Sequence, residues 1–414
     1  METDRGVTRN DMKEPFQPLR LHEGARPALS LPALLLHFLK IGAIGFGGGM
    51  AVIALMERDL ILKKRVMEAE EFLHGVGLGQ VLGPFAVNTA LFVGNRLYGP
   101  LGGLACACAF IAPSVFIVIM LAWLYFSFHA VPALQSAIGG LGPVVIALIL
   151  GAAWSMGRKA VRSWPSVIMA VLALVFSLLK INAVYILIGA GLIGLIAGKR
   201  VLAIGQLRKP ASPNEPQSPG GGSAATVGVV LLPAVGTAVG GTSLVSSIAW
   251  VFLKIGFVFF GGGFVLVPIL QQKLETLGWL TPKEFIDGVA ISNLTPGPIA
   301  VLATFAGFHI HGVSGALVAT LALFTPSLIL MTFLSQGYSR LKEEPRVQDF
   351  LAGITPAVVG MVVSASVLLA PGALQGIAGW ALLATAFLLL VRFQWHPAWV
   401  LAVGAALGAA GIVR

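Results

Sequence analysis

Three stretches of this chain contain no Asp, Glu, Lys or Arg at all: Leu97 to Gly157, Gly288 to Ser339, and Phe350 to Val391. One crossing of a hydrocarbon core takes about 20 apolar residues, so each run is long enough for two or three spans. In lipid every backbone N–H and C=O must be paired within the protein, and long apolar runs meet that demand as helices. The chain is 57% hydrophobic and only 11% charged over 414 residues, too little charge to cover a soluble protein of that size. The sequence therefore predicts an all-α polytopic membrane protein, with the lipid bilayer as its first partner.

The remaining charge gives a net of +10, with the bases scattered among short loops. That pattern reads as topology signals rather than as a nucleic-acid surface, and no nucleic-acid partner is expected. Residues 1–29 are mixed in charge and lack an apolar core, so the first span is expected to serve as its own insertion signal. Cys106 and Cys108 stand two apart and face different sides of a helix, which suits packing better than redox work. Phosphate-loop, zinc-protease and serine-hydrolase signatures are missing, so neither an enzyme nor a cofactor is indicated.

The chain repeats itself. Residues 38–49 read FLKIGAIGFGGG and residues 252–263 read FLKIGFVFFGGG, with nine of twelve positions identical. The match continues at an offset of 213 or 214: Glu71-Phe72 with Glu284-Phe285, Gly83-Pro84 with Gly297-Pro298, Gly94 with Gly307, Pro113-Ser114 with Pro326-Ser327. Two homologous repeats of about six apolar segments each are expected. The first has segments near 31–56, 73–95, 100–127, 134–157, 164–179 and 182–198. The second has them near 245–271, 285–308, 313–337, 350–371, 373–391 and 394–412. The parse is a polar tail over 1–29, a first repeat over 30–200, a linker over 201–244 and a second repeat over 245–414. Within the linker, 208–223 are rich in Pro, Gly and Ser, whereas 224–241 are apolar enough to cross. An extra span there inverts the second half, and its absence leaves the repeats parallel. Arg158, Lys159, Arg162, Lys199, Arg200, Arg208, Lys209, Arg340, Lys342 and Arg346 share one side only if the second half is inverted. Arg58, Lys63, Lys64 and Arg65 conflict with that count unless the first segment is broken or re-entrant. Inverted repeats, with broken or re-entrant helices at the Gly-rich motifs, are the expectation.

The triplets Gly47, Gly48, Gly49 and Gly261, Gly262, Gly263 carry the first candidate chemistry. Each glycine costs about 0.8–1 kcal/mol of helix stability relative to alanine, so three in a row argue for a break or a close helix contact. A break inside the membrane frees N–H groups at a new helix start, which is a ready anion site. Breaks at matching places in two halves are the sequence pointer to a transporter site. Lys40 and Lys254 lie inside the same segments, one heptad before the glycines. They either reach the site or snorkel to an interface.

A second element recurs. Thr281-Pro282-Lys283-Glu284 is a capping box, and the helix it opens runs into Asn293-Leu294-Thr295-Pro296-Gly297-Pro298. Two prolines and a glycine cannot continue regular hydrogen bonding. The first half has Gln80-Val81-Leu82-Gly83-Pro84 and, beyond it, Asn88. Gln80, Asn88, Asn293 and Thr295 could hydrogen-bond a substrate, while kinking alone would explain the prolines. All seventeen acidic residues fall in termini, loops or segment edges, which favours an anion over a cation as cargo. His309 and His311 lack nearby metal ligands, so no metal site is expected.

With these motifs in place, the chain resembles the chromate ion transporter (CHR) family in its long two-domain form. The resemblance rests on F-L-K-I-G-x-x-x-F-G-G-G, twice, on Glu71-Phe72 and Glu284-Phe285, and on N-x-x-P-G-P at 293–298. It implies export of chromate across the bacterial cytoplasmic (inner) membrane and resistance to it, with sulfate as competing or exchanged anion. A permease or exchanger for sulfate or another oxyanion is the alternative, and homodimerisation is left open. One departure is that Leu82 stands where the family's Pro-Gly-Pro would begin in the first half.

Overall fold

The computed structural model describes residues 29–45, 48–128, 132–161, 163–202, 244–259, 263–335 and 345–412. These residues are helical, in two similar halves. The first half holds α1 (Leu31–Ile44), α2 (Gly48–Met56, continued as a π-helical turn over Glu57–Lys63), α3 (Ala69–Val81), α4 (Phe85–Phe128), α5 (Pro132–Gly139), α6 (Leu141–Ala160), α7 (Trp164–Leu178) and α8 (Ala183–Leu202). The second holds α9 (Leu244–Val258), α10 (Leu266–Thr276), α11 (Pro282–Leu294), α12 (Leu302–Leu334), α13 (Pro345–Ala373), α14 (Gly376–Val391) and α15 (Pro397–Ala409). Among the described residues, four stretches are long and apolar enough to cross a bilayer: Phe85–Phe128, Ser136–Arg158, Ile299–Leu334 and Gln348–Ala373.

Two of those stretches fold back on themselves. In α12 the hydroxyls of Thr304 and Thr320 lie 2.7 Å apart although sixteen residues separate them. A straight helix would hold them about 24 Å apart. The reversal is at His311 and Gly312, and Gly312 has φ 58. In α4 the reversal is at Gly99 (φ 72), and Gly94 packs directly on the Gly102 carbonyl. Only the second arms, past Gly99 and Gly312, have crossing length.

The segments expected at 73–95 and 285–308 are re-entrant hairpins rather than spans. Gly75 of α3 packs on Phe92 of α4, and Gly288 of α11 packs on Phe305 of α12. Each hairpin turns at its Gly-Pro break, where Gly83 (φ 108) and Gly297 (φ 102) adopt the left-handed backbone that favours glycine. The first segment also returns. The Tyr98 hydroxyl bonds the Leu29 carbonyl beside the start of α1, and Gly42 of α1 packs on Phe110, so α1 rises beside the second arm of α4. Glu71, at the start of α3, is ion-paired with Arg96 back beside Tyr98. Gly48 to Lys63 must therefore come back to the end where α1 began. This puts Arg58, Lys63, Lys64 and Arg65 with Arg158 and Arg346, and removes the conflict in the charge count.

Equivalent helices of the halves run antiparallel. Along α6 and α13, Gly142 meets Ala373 while Gly157 meets Val359. Asn95, just before the Gly99 reversal of α4, bonds Ser335 at the end of α12, while Phe126 near the end of α4 stacks on Phe308, just before the Gly312 reversal, so the second arms of α4 and α12 run antiparallel. Parallel repeats would give parallel equivalents, so the second half is inverted. The halves also exchange their last hairpins: α7 and α8 pack on α13, and α14 and α15 pack on α6. Small residues make this close approach possible, as is usual between membrane helices. Gly353 sits on the Ala190 carbonyl and against Gly194, and its counterpart Gly140 sits on the Gly404 carbonyl and against Gly408. The extra span expected within 224–241 lies outside the described residues.

Candidate functional site

Eight half-helix ends meet inside the bundle. α1 stops at Ile44 and α9 at Val258, while α3 stops at Val81 and α11 at Leu294. Their continuations start at Gly48, at Phe85, at Gly263 and at Ile299, the last two as short 3-10 turns. Within each half the two breaks touch: Gly49 packs on the Phe85 ring and Gly263 on the Ile299 side chain.

Contacts between the halves are crossed. The Gly297 N–H donates to the Gly45 carbonyl at 3.1 Å. At the equivalent place Gly83 lies against the Phe259 carbonyl, with no room for a Cβ. The Ser114 hydroxyl donates to the Pro296 carbonyl at 2.6 Å, pinning the second-half break to the first half's long helix. A helix start carries a partial positive charge of roughly 0.5. Four of them converge here, and two competing carbonyls at the ends of α1 and α9, those of Gly45 and Phe259, are already engaged or covered by these crossed contacts.

The expected site residues take different places. Gly49, Gly263, Pro296, Gly297 and Pro298 lie at the breaks, and Gly48 opens α2. Asn88, Asn293 and Thr295 flank them. Asn88 is fully buried and gives an amide hydrogen to the Leu82 carbonyl at 3.3 Å, while its own carbonyl oxygen has no partner. Asn293 gives one amide hydrogen to the Val289 carbonyl, which leaves the other for a ligand. The Thr295 hydroxyl donates to the Ser292 carbonyl, so toward a ligand it can only accept. Gln80 lies in the last turn of α3. Gly47, Gly261 and Gly262 lie outside the described residues.

Lys40 and Lys254 are placed elsewhere. Both are exposed, on the faces of α1 and α9 opposite the buried Phe38–Ile41–Gly42 and Phe252–Ile255–Gly256 contacts. Lys254 lies over the Trp250 ring, 5.1 Å from its centroid. α1 ends before the glycine triplet, so the heptad spacing that aligned lysine with glycine does not hold across the break. Their positions match side chains that reach along the outer surface toward an interface.

Sequence reasoning missed Asp287. It was counted among acids at a segment edge, but α11 turns it inward, where it is 3% exposed and accepts a hydrogen bond from the Tyr125 hydroxyl at 2.7 Å. The capping box that opens α11 fixes the register that points it there, and that box was readable from the sequence. Ser114 was also missed as a contact of the break, although its Pro113-Ser114 pair is part of the repeat.

An inverted repeat whose discontinuous helices meet inside the bundle defines a multi-pass membrane transporter rather than an enzyme. The chain belongs to the chromate transporter family: the family model matches residues 32–195 and again 246–409, one stretch per half. It is 33% identical over 368 residues to a probable chromate transport protein of Synechococcus elongatus, covering 86% of this chain and 88% of that one. It is 28% identical over 389 residues to a chromate transport protein of Cupriavidus metallidurans, covering 92% and 93%. A chromate transport protein of Pseudomonas aeruginosa is 31% identical over 346 residues, covering 82% and 81%. No solved structure matches the chain.

Proposed function

We propose that this protein is a secondary transporter that exports chromate from the cytoplasm, with the dianion held where the four broken segments meet. The observation that carries this reading is the crossed pairing of the breaks, Gly297 with Gly45 and Gly83 with Phe259, which aims half-helix starts from both halves at one place. The relatives named as chromate transport proteins supply the anion. Phe85 and Ile299 offer N–H groups at helix starts, and Asn293 offers an amide hydrogen. A dianion needs such compensation, because even one charge at the bilayer centre costs at least about 2.5–3.5 kcal/mol on insertion scales.

In a bacterial inner membrane, the excess of bases at the end carrying Arg58, Lys63, Lys64, Arg65, Arg158 and Arg346 supports turning that end to the cytoplasm. An interior-negative potential then favours export by about 2.3 kcal/mol per charge per 100 mV, so potential-driven efflux suffices and resistance follows. Inside-out vesicles test the reading. Chromate uptake should rise when the lumen is made positive, and unlabelled sulfate should compete. Transport of sulfate with no chromate flux would transfer the assignment to a sulfate permease.

A further inference from the structure

Asp287 is the one acidic side chain that the described residues bury in the bundle. Its Oδ2 takes a hydrogen bond from the Tyr125 hydroxyl, which comes from the other half of the molecule. No ion pair reaches it among the described residues, and a buried carboxylate without a cation is costly unless it binds a proton. It lies six residues before Asn293, about 9 Å along α11 from that residue, which flanks the Pro-Gly-Pro break.

The surroundings lead outward. On its own helix the charged groups that act on it are Lys283 and Glu284, and from α4 Tyr125 faces it. On α12, His309 has Nε2 at 4.0 Å from the Glu284 carboxylate, and its ring lies 4.6 Å from that of Phe126. His311 instead meets Ser314. α10 brings Lys273 and Glu275 near its far end, while Arg158 of α6, Arg346 and Asp349 of α13 and His396 before α15 belong to the opposite end of the bundle. The first half builds the same place differently. Glu71 and Arg96 occupy the positions of Glu284 and His309, and His74 occupies that of Asp287. A permanent cation closes one hairpin and a titratable one the other.

We propose that Asp287, held by Tyr125, is a proton-binding site of the transport cycle, reached from the aqueous end opposite the basic one through Glu284 and His309. The carboxylate takes one proton from water on that side and becomes a neutral acid. Tyr125 keeps its hydroxyl proton throughout, and the site later returns its proton to water. Neutral Asp287 lets the α11–α12 hairpin shift its tip against Gly45 without moving a buried charge. The coupling half of this inference rests on the transporter reading above.

The full chain in proteoliposomes gives two independent readouts. Infrared difference spectra between acid and neutral pH should contain a protonated-carboxyl band that Asp287→Asn lacks, and this needs no substrate. Identical spectra overturn the site. With the potential clamped, a pH gradient of one unit should change wild-type chromate flux by up to about tenfold per coupled proton. The ratio of flux with and without the gradient should fall to unity in Asp287→Asn; a wild-type ratio of unity overturns the coupling. If Asp287→Asn does not insert, Tyr125→Phe replaces it, and an unmoved pH midpoint of the band overturns the pairing. A carboxyl band in a protein that carries no chromate would sink the transport reading and leave the proton site standing.

Discussion

The backbone N–H of Gly297 donates to the carbonyl oxygen of Gly45 at 3.1 Å, tying the second re-entrant hairpin of one half to the first broken segment of the other. The matching contact, Gly83 against the Phe259 carbonyl, is close, but the halves are not equivalent there. Leu82 keeps an N–H and bonds the Leu78 carbonyl at 3.2 Å, so α3 holds its helical end. Pro296 has no N–H, and Thr295 before it is extended at φ -91 and ψ 149. Proline before the glycine thus makes the second break the sharper one, and Ser114 holds it in place.

Gly297→Ala should be the most damaging small change at the site. The residue needs φ 102, and a Cβ would fall on the Ser114 hydroxyl. Backbone strain of this kind costs on the order of 1–3 kcal/mol. Chromate flux in vesicles should drop at least about tenfold, which is about 1.4 kcal/mol on the barrier, and thermal unfolding in detergent should shift downward. Adding Ser114→Gly should recover part of the unfolding shift and leave the backbone part. A variant with wild-type flux would show that the break has no part in transport.

The exchanged hairpins make the halves interdependent. Gly353→Leu drives a side chain into the Ala190 backbone and Gly194, across the interface between α8 and α13. Overpacking of this sort costs about 1–3 kcal/mol, and more where backbone must move. With the chain cut between the halves and both pieces co-expressed, the wild-type pieces should copurify and the Gly353→Leu pair should not. Equal recovery would mean that the cross-packing adds little.

Much of this fold was legible because its determinants are local. Three uncharged runs announced membrane helices, paired glycine triplets announced the breaks, and Thr281 to Glu284 announced the start of α11. Inversion was legible only through scattered loop charge, and the misfit of Arg58 to Arg65 pointed to the re-entrant first segment that the structure has. Hairpin or crossing could not be read from 73–95 and 285–308, because a Gly-Pro break looks alike in a kinked span and in a reversal. Burial of Asp287 was hidden for another reason. It depends on Tyr125, which lies 162 residues away in the other half.

Lys40 and Lys254 provide a test of where the compensating charge comes from. Both are exposed, and the Lys254 ammonium is already placed over Trp250. A snorkelling lysine supports placement in the membrane rather than ligand binding, so Lys40→Gln with Lys254→Gln should keep flux within about threefold of wild type. If the double variant inserts normally and carries no chromate, the lysines reach the anion in some state of the cycle and the helix starts are not sufficient.

The antiparallel halves fix where the two described ends of the central connection lie. α8 runs down beside α13, with Ala190 against Gly353 and Gly194 against the Asp349 backbone, so it ends at the side where α13 begins. α9 is the inverted counterpart of α1, and it starts at the opposite side. Single cysteines placed near these ends, Ala197→Cys and Leu244→Cys, in a chain with Cys106 and Cys108 replaced by serine, should therefore differ in access. A membrane-impermeant maleimide added to intact cells should label residue 244 and spare residue 197, and in inside-out vesicles the pattern should reverse. Labelling of both from one side would mean that the two repeats enter the membrane from the same face, and the inverted arrangement would fall with it.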